Sequence, residues 1–122
     1  MSIEQQLLQL ISTADSGWSC RRWISAGPLH VYIRVTQRFI GGGIVPTIDV
    51  ASIEVEESQR GRGRSSALFE LVERVADRAT RIVYVECVLN RRFADWLQRR
   101  GYTRLPGEGS PSFYRRASGG SG

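Results

Sequence analysis

The chain has 122 residues, 41% of them hydrophobic, and its 17 basic residues outnumber 12 acidic ones to give a net charge of +5 and a pI of about 10.0. That length suits one globular domain around one core, and no apolar run approaches the roughly 20 residues that a membrane span requires. Cys20 and Cys87 are too few for a disulfide framework, His30 is the only histidine so no metal set is expected, and the N-terminus lacks the basic and apolar regions of a signal peptide, so a cytoplasmic, membrane-free protein is expected.

In chain order, Ile3 to Thr13 places apolar residues at 3, 7, 8, 10 and 11, the spacing of an amphipathic helix, and Asp15-Ser16-Gly17 breaks it. Trp18 to Ile24 reads as a short strand or extended segment, with Trp18 and Trp23 as packing residues or as the lining of an acceptor pocket. Gly27-Pro28 is a turn, and Leu29 to Ile40 alternates as a strand with Val31, Ile33 and Val35 on one face. Gly41-Gly42-Gly43 makes a hairpin connection, Pro46 marks the next strand's entry, and Thr47 to Val55 alternates again. There Ile48, Val50, Ser52 and Glu54 oppose Thr47, Asp49, Ala51, Ile53 and Val55.

A turn rich in arginine and glycine follows, Gln59-Arg60-Gly61-Arg62-Gly63-Arg64-Ser65-Ser66, and then a helical pattern from Ala67 to Ala79. A glycine-rich turn entering a helix leaves several backbone N–H groups pointing one way, and the helix dipole adds positive character. That is a pyrophosphate cradle, with the arginines able to meet further phosphates. It is not a P-loop, because the chain has no lysine, nor a dinucleotide fingerprint, because no third glycine follows Gly61 and Gly63. The bland alternative is a solvated loop or an RNA contact. Ser65 or Ser66 is the expected cap of the helix. Its expected apolar stripe is Leu68, Leu71, Val72, Val75 and Ala79, with Glu70, Glu73, Arg74, Asp77 and Arg78 in water.

Arg81 to Leu89 reads as a buried strand, parallel to the previous one because a helix connects them. Asn90 ends it and caps a helix over Arg91 to Arg100, with Phe93, Trp96 and Leu97 as its apolar face and Gly101 as its stop. Tyr102 to Leu105 and Ser112 to Arg116 form a last antiparallel pair. Residues 1–117 are read as one domain, and 118–122 as a flexible linker-like tail.

Arg60-Gly61-Arg62-Gly63-Arg64-Ser65 resembles the Arg/Gln-x-x-Gly-x-Gly/Ala signature of the GNAT superfamily of N-acetyltransferases, with Ser65 where Gly or Ala is usual. Val55 stands where that family keeps a valine, and the strand, Asn90, short helix and Gly101-Tyr102 repeat its downstream order over roughly residues 45–116. The resemblance implies an α/β (α+β) fold with a mixed, mostly antiparallel sheet, a central parallel strand pair splayed around acetyl-CoA, and flanking helices. It implies acetyl-CoA as co-substrate on Arg60, Gly61, Arg62, Gly63, Arg64, Ser65 and Ser66, backbone contacts at Ile53 and Val55, and a contact from Asn90. The acceptor would be a primary amine, with a protein lysine favoured; similar compact chains occur in phage genomes.

For the proton acceptor, Glu54, Glu56 and Asp49 lie on or beside the central strand, and Glu54 is preferred. The family's usual acid is a tyrosine seven residues after the asparagine, where this chain has Leu97. Tyr84, Tyr102 or Tyr114 would have to substitute, and Tyr102 is taken. Two rival readings follow: a CoA-binding protein without turnover that docks on a partner, motivated by Leu97, and a nucleic-acid binder using the arginines. The absence of lysine fits GC-rich coding, or avoidance of self-acetylation by a lysine-modifying enzyme.

Overall fold

The computed structural model describes residues 1–17, 19–56, 63–86, 88, 90–106 and 111–117. Its first element is α1 (Ile3–Asp15), opened by a capping box. The Ser2 hydroxyl accepts from the Gln5 N–H at 3.1 Å, and the Gln5 side chain accepts from the Ser2 N–H at 3.0 Å. Leu7, Leu10, Ile11 and Ala14 form its buried stripe, whereas Leu8 is half exposed.

The strands are β1 (Cys20–Ala26), β2 (Leu29–Ile40) and β3 (Gly43–Val55), followed by α2 (Arg64–Ala79), β4 (Ile82–Val85), α3 (Arg91–Arg99), β5 (Thr103–Arg104) and β6 (Phe113–Arg115). They make one six-stranded sheet in the order β1-β2-β3-β4-β6-β5. Only β3 and β4 run parallel; every other neighbouring pair is antiparallel. This is the mixed sheet with a central parallel pair that the sequence led us to expect.

Gly41 and Gly42, at φ 63° and 88°, close the β2–β3 hairpin as a two-residue turn. Both angles lie in the left-handed region that L side chains resist. The strand after it begins at Gly43, earlier than Thr47, so Pro46 lies inside β3 and not at its entry. It is tolerated because pairing with β4 starts only at Thr47, leaving Pro46 with β2 alone.

Alternation along β3 does not persist. Ile33 pairs with Val50 and Tyr32 with Ser52, so Ala51 is an extra residue, a β-bulge. Paired residues share a face. Ile48, Val50, Ile53 and Val55 therefore sit with Val35, Ile33, Val31 and Leu29 on the helix-covered face. Thr47, Asp49, Ser52 and Glu54 share the other. The expected grouping of Ile48 and Val50 with Ser52 and Glu54 is corrected by this one residue.

α1 and α2 cover the first face, burying Leu68, Phe69, Val72 and Val75 against the strands. The stripe of α2 is rotated from the expected one: Phe69 and Ala76 are buried, Leu71 is only partly so, and Ala79 is exposed. Glu73 and Asp77 are not in free water. Arg100 donates to both Glu73 carboxylate oxygens at 2.8 Å, and the Tyr102 hydroxyl donates at 2.7 Å. Arg115 bridges Asp77. Phe69 is fully buried, with Phe93, Trp96 and Tyr102 rings at 5.7, 5.4 and 6.0 Å. Truncating it to Ala would cost about 3–5 kcal/mol.

The opposite face carries polar rows. Asp49 is fully buried and accepts from the Thr47 hydroxyl at 2.7 Å and from Arg38 Nε at 2.9 Å. Arg34 reaches both Asp49 and Glu86, and the Arg38 guanidinium lies 4.0 Å from the Tyr84 ring centroid. Arg81 ties three elements, donating to the Thr36 and Thr47 carbonyls and to Asp15 at 2.9 Å.

Two stability predictions follow from α2 and its partners. Thr80 ends the helix at φ 54°, a left-handed conformation unfavourable for a β-branched residue. Thr80→Gly should stabilise the fold by up to about 1 kcal/mol in urea unfolding. Burial and then the Glu73 carboxylate push the Tyr102 phenol well above its ordinary range. With the folded value raised, its contribution is intact below the unfolded tyrosine value of about 10 and is lost as pH rises past it. Wild-type stability should therefore fall between pH 9 and 11 more steeply than that of Tyr102→Phe, which at pH 8 should cost about 1 kcal/mol.

Candidate active site

β3 is paired with β2 throughout its length but with β4 only from Thr47 to Val50. The last bond between them runs from the Glu86 N–H to the Val50 carbonyl at 3.3 Å. Beyond it the two chains part. Val88 donates instead to the Pro111 carbonyl at 2.8 Å, toward the far side of the sheet. β4 ends at Val85, short of the strand to Leu89 that the sequence suggested, and Cys87 and Leu89 lie outside the described residues.

The gap is a cavity of about 880 Å³, within the range of small-molecule sites. Val50 to Val55 of β3 form one wall, and Val85, Glu86 and Val88 form the other. Ser65 of α2 and Asn90 and Phe93 of α3 close the helix-covered end. His30, Glu54 and Glu56 complete the lining. Because Ala51 is a bulge, Ile53 is turned to the helix side while Ser52 and Glu54 are turned to the open face, so the cavity crosses the sheet from an apolar end to a polar one.

At the helix end, α2 begins at Arg64 with Gly63 as its N-cap, φ 72° and ψ 16°, and no side-chain cap bond. The expectation that Ser65 or Ser66 caps it is corrected: both lie inside the first turn. The first helical bond is Ala67 N–H to the Gly63 carbonyl at 3.1 Å, and no acidic residue occupies the first turn. A helix start with no side-chain cap and no acidic residue in its first turn suits an anion. Gln59, Arg60, Gly61 and Arg62 of the expected cradle lie outside the described residues.

Asn90 is the N-cap of α3: its side-chain oxygen accepts from the Phe93 N–H at 3.1 Å. It also lines the cavity, so the cap and the ligand contact are compatible, the amide nitrogen serving the second. Ile53, Val55, Glu54, Ser65 and Asn90 are thus brought together. Tyr102 is not: it is buried on Glu73 between α2 and α3, which corrects its expected place at the reacting atoms. Leu97 is fully buried core, and Tyr84 and Tyr114 pair with each other at the β4–β6 junction. Asp49 is sealed by its arginines and is not in the lining.

His30 was treated in the sequence only as a lone residue excluding a metal set. Its place in the wall depends on the β1–β2–β3 register, which no local pattern announces. Among the described residues no group of three or more metal-ligating side chains is present, and no helix of the model is long and apolar enough to cross a membrane.

No protein-family model matches the sequence, and no curated protein matches it. Solved structures do resemble it. AtaT complexed with acetyl-methionyl-tRNAfMet superposes with a TM-score of 0.61 at 13% identity, over 91% of this chain and 78% of that one. The KacTA–DNA complex gives 0.56 at 20% identity, over 76% and 70%. An AtaT toxin variant bound to the C-terminus of the antitoxin AtaR and acetyl-CoA gives 0.56 at 14% identity over 73% of this chain, and the match spans 58% of that chain, less than two thirds of it. The architecture described above is the fold of GNAT acetyltransferases.

Proposed function

We propose that this protein binds acetyl-CoA in the cavity between β3 and β4 and transfers the acetyl group to a primary amine. The observation that carries the reading is the parting of the one parallel strand pair among the described residues, beside an N-terminus of α2 that has no side-chain cap bond. The fold and the acetyl-CoA present in a structural neighbour support the same reading. In it, the pyrophosphate sits against Arg60, Gly61, Arg62, Gly63, Arg64, Ser65 and Ser66, and the pantetheine arm follows the β3 edge at Ile53 and Val55, beside Asn90. Bound there, acetyl-CoA supplies an activated acyl carbon. Backbone N–H groups of β3 meet the negative charge that develops on the carbonyl oxygen.

The acceptor enters from the opposite end. The charged groups described there are Glu54, Glu56 and Glu86, and no arginine is in the described lining. In a chain of net charge +5, an acidic mouth selects for an amine on a cationic partner, and a lysine side chain on a protein is the acceptor class we favour. Glu54 draws in that ammonium group. The complex of AtaT with acetyl-methionyl-tRNAfMet motivates a second reading, an amine carried on RNA. The two differ in salt response, since a phosphate-based partner would be lost steeply with added salt.

Calorimetric titration of acetyl-CoA tests the cofactor site. Saturable binding should be abolished in Gly63→Glu and in Ser65→Glu. The second variant separates binding from folding, because a carboxylate in the first helical turn stabilises the helix by about 0.3–1 kcal/mol while occupying the phosphate position. Unchanged affinity in Ser65→Glu would remove the site from this helix end. For Asn90, Asp retains the cap but not the amide donor, and Ala loses both. Asn90→Asp should keep the wild-type melting temperature and weaken acetyl-CoA several-fold, whereas Asn90→Ala should also lose about 1 kcal/mol of stability.

A further inference from the structure

With Tyr102 in the core and Leu97 at the expected acid position, the proton inventory of the cavity changes. Its described lining contains no tyrosine, and its neutral proton carriers are two serines, Ser52 and Ser65, and one imidazole, His30. His30 stands in a row that crosses three strands on the helix-free face: Ser25 of β1, His30 of β2 and Glu54 of β3 are successive register partners. Ser25 Oγ lies 2.7 Å from His30 Nδ1. That bond fixes the ring from the side away from the cavity and leaves Nε2 as the nitrogen available to a ligand. The next row holds Trp23, Tyr32 and Ser52, so the carboxylate nearest to His30 in register is Glu54 itself.

Resting on the acetyl-transfer reading above, we infer that His30 is the group that moves the proton, with Ser25 as its positioning residue and Glu54 as the charge that holds the acceptor beside it. The hydrogen bond has two forms. If Nδ1–H donates to the Ser25 oxygen, Nε2 carries a lone pair and accepts a proton; if the Ser25 hydroxyl donates to Nδ1, Nε2 carries hydrogen and is no base. The proposal requires the first. The ammonium group held by Glu54 first releases one proton to solvent; the neutral amine then attacks the thioester carbon, a C–N bond forms and the C–S bond breaks. The proton leaving nitrogen passes to His30 Nε2 and from there to the departing sulfur, so one proton moves from N to S and the ring ends neutral. The ionisable groups around it are Glu54 in its own row, Tyr32 in the next, Arg34 in the row after that, and Glu56 and Glu86 in the cavity lining, Glu86 being paired to Arg34 and Arg38.

A single histidine makes the test unambiguous. In the full chain labelled with 15N, one set of imidazole resonances will be seen in a long-range nitrogen–proton correlation, and it belongs to His30. In its neutral form the ring should be the Nδ1–H tautomer, saturating acetyl-CoA should shift Nε2 more than Nδ1, and Ser25→Ala should release the ring to the Nε2–H form. With poly-L-lysine as the acceptor probe and free thiol as the readout, His30→Gln should lower kcat by about 10²-fold or more with little change in KM for acetyl-CoA. An Nε2–H ring in wild type, or His30→Gln turning over within about three-fold of wild type, overturns the role of His30 while leaving acetyl-CoA binding intact. Failure of acetyl-CoA to bind in the calorimeter overturns the reading beneath it instead.

Discussion

Two parallel strands that pair over four residues and then part create the candidate site of this protein. Thr47 to Val50 of β3 bond to Ile82 to Val85 of β4, and after Val50 the two chains diverge. Divergence of paired strands leaves main-chain groups that need other partners, and a buried vacancy of that kind is costly. Here it is managed on both sides. The β4 continuation takes the Pro111 carbonyl, and β3 keeps β2 on its other edge all the way to Val55. What remains is a slot with hydrogen-bonding edges, a geometry that receives an extended ligand with amide groups.

The bulge at Ala51 decides what each end of that slot contains. Without it, strict alternation would carry Ser52 and Glu54 to the helix side beside Val50, and Ile53 to the open face. A single inserted residue reverses the faces beyond it. The apolar wall then continues toward α2 and Asn90, and the polar residues line up with His30 and Ser25 on the face that no described helix covers.

Charge tells a similar story of position over composition. The excess of arginine suggests an anion-binding surface, yet Arg34, Arg38, Arg81, Arg100 and Arg115 are each engaged with Asp49, Glu86, Asp15, Glu73 or Asp77. Breaking a partly buried pair of this sort costs far more than its net contribution suggests, because the partner is left charged and dry. These arginines hold helices and strands in register. The same accounting explains Tyr102: its hydroxyl completes the coordination of a buried carboxylate, so a residue that resembled a catalytic acid from its neighbourhood in sequence is a structural donor.

The sequence by itself determined the order of helices and strands, the hairpin at Gly41-Gly42, the strand before and the helix after Gly63, the Asn90 cap and the parallel pairing of β3 with β4. Each of these rests on local periodicity, on a turn residue or on the length of a crossover, all of which act over a few neighbouring positions. Only the tertiary structure decided the facing of β3, the rotation of the α2 stripe that buries Phe69 and Glu73, the removal of Tyr102 from the cavity and the arrival of His30 in its wall. Those depend on a bulge and on strand register. Both are settled by which partners pack together across long stretches of chain, and neither leaves a mark in the local pattern.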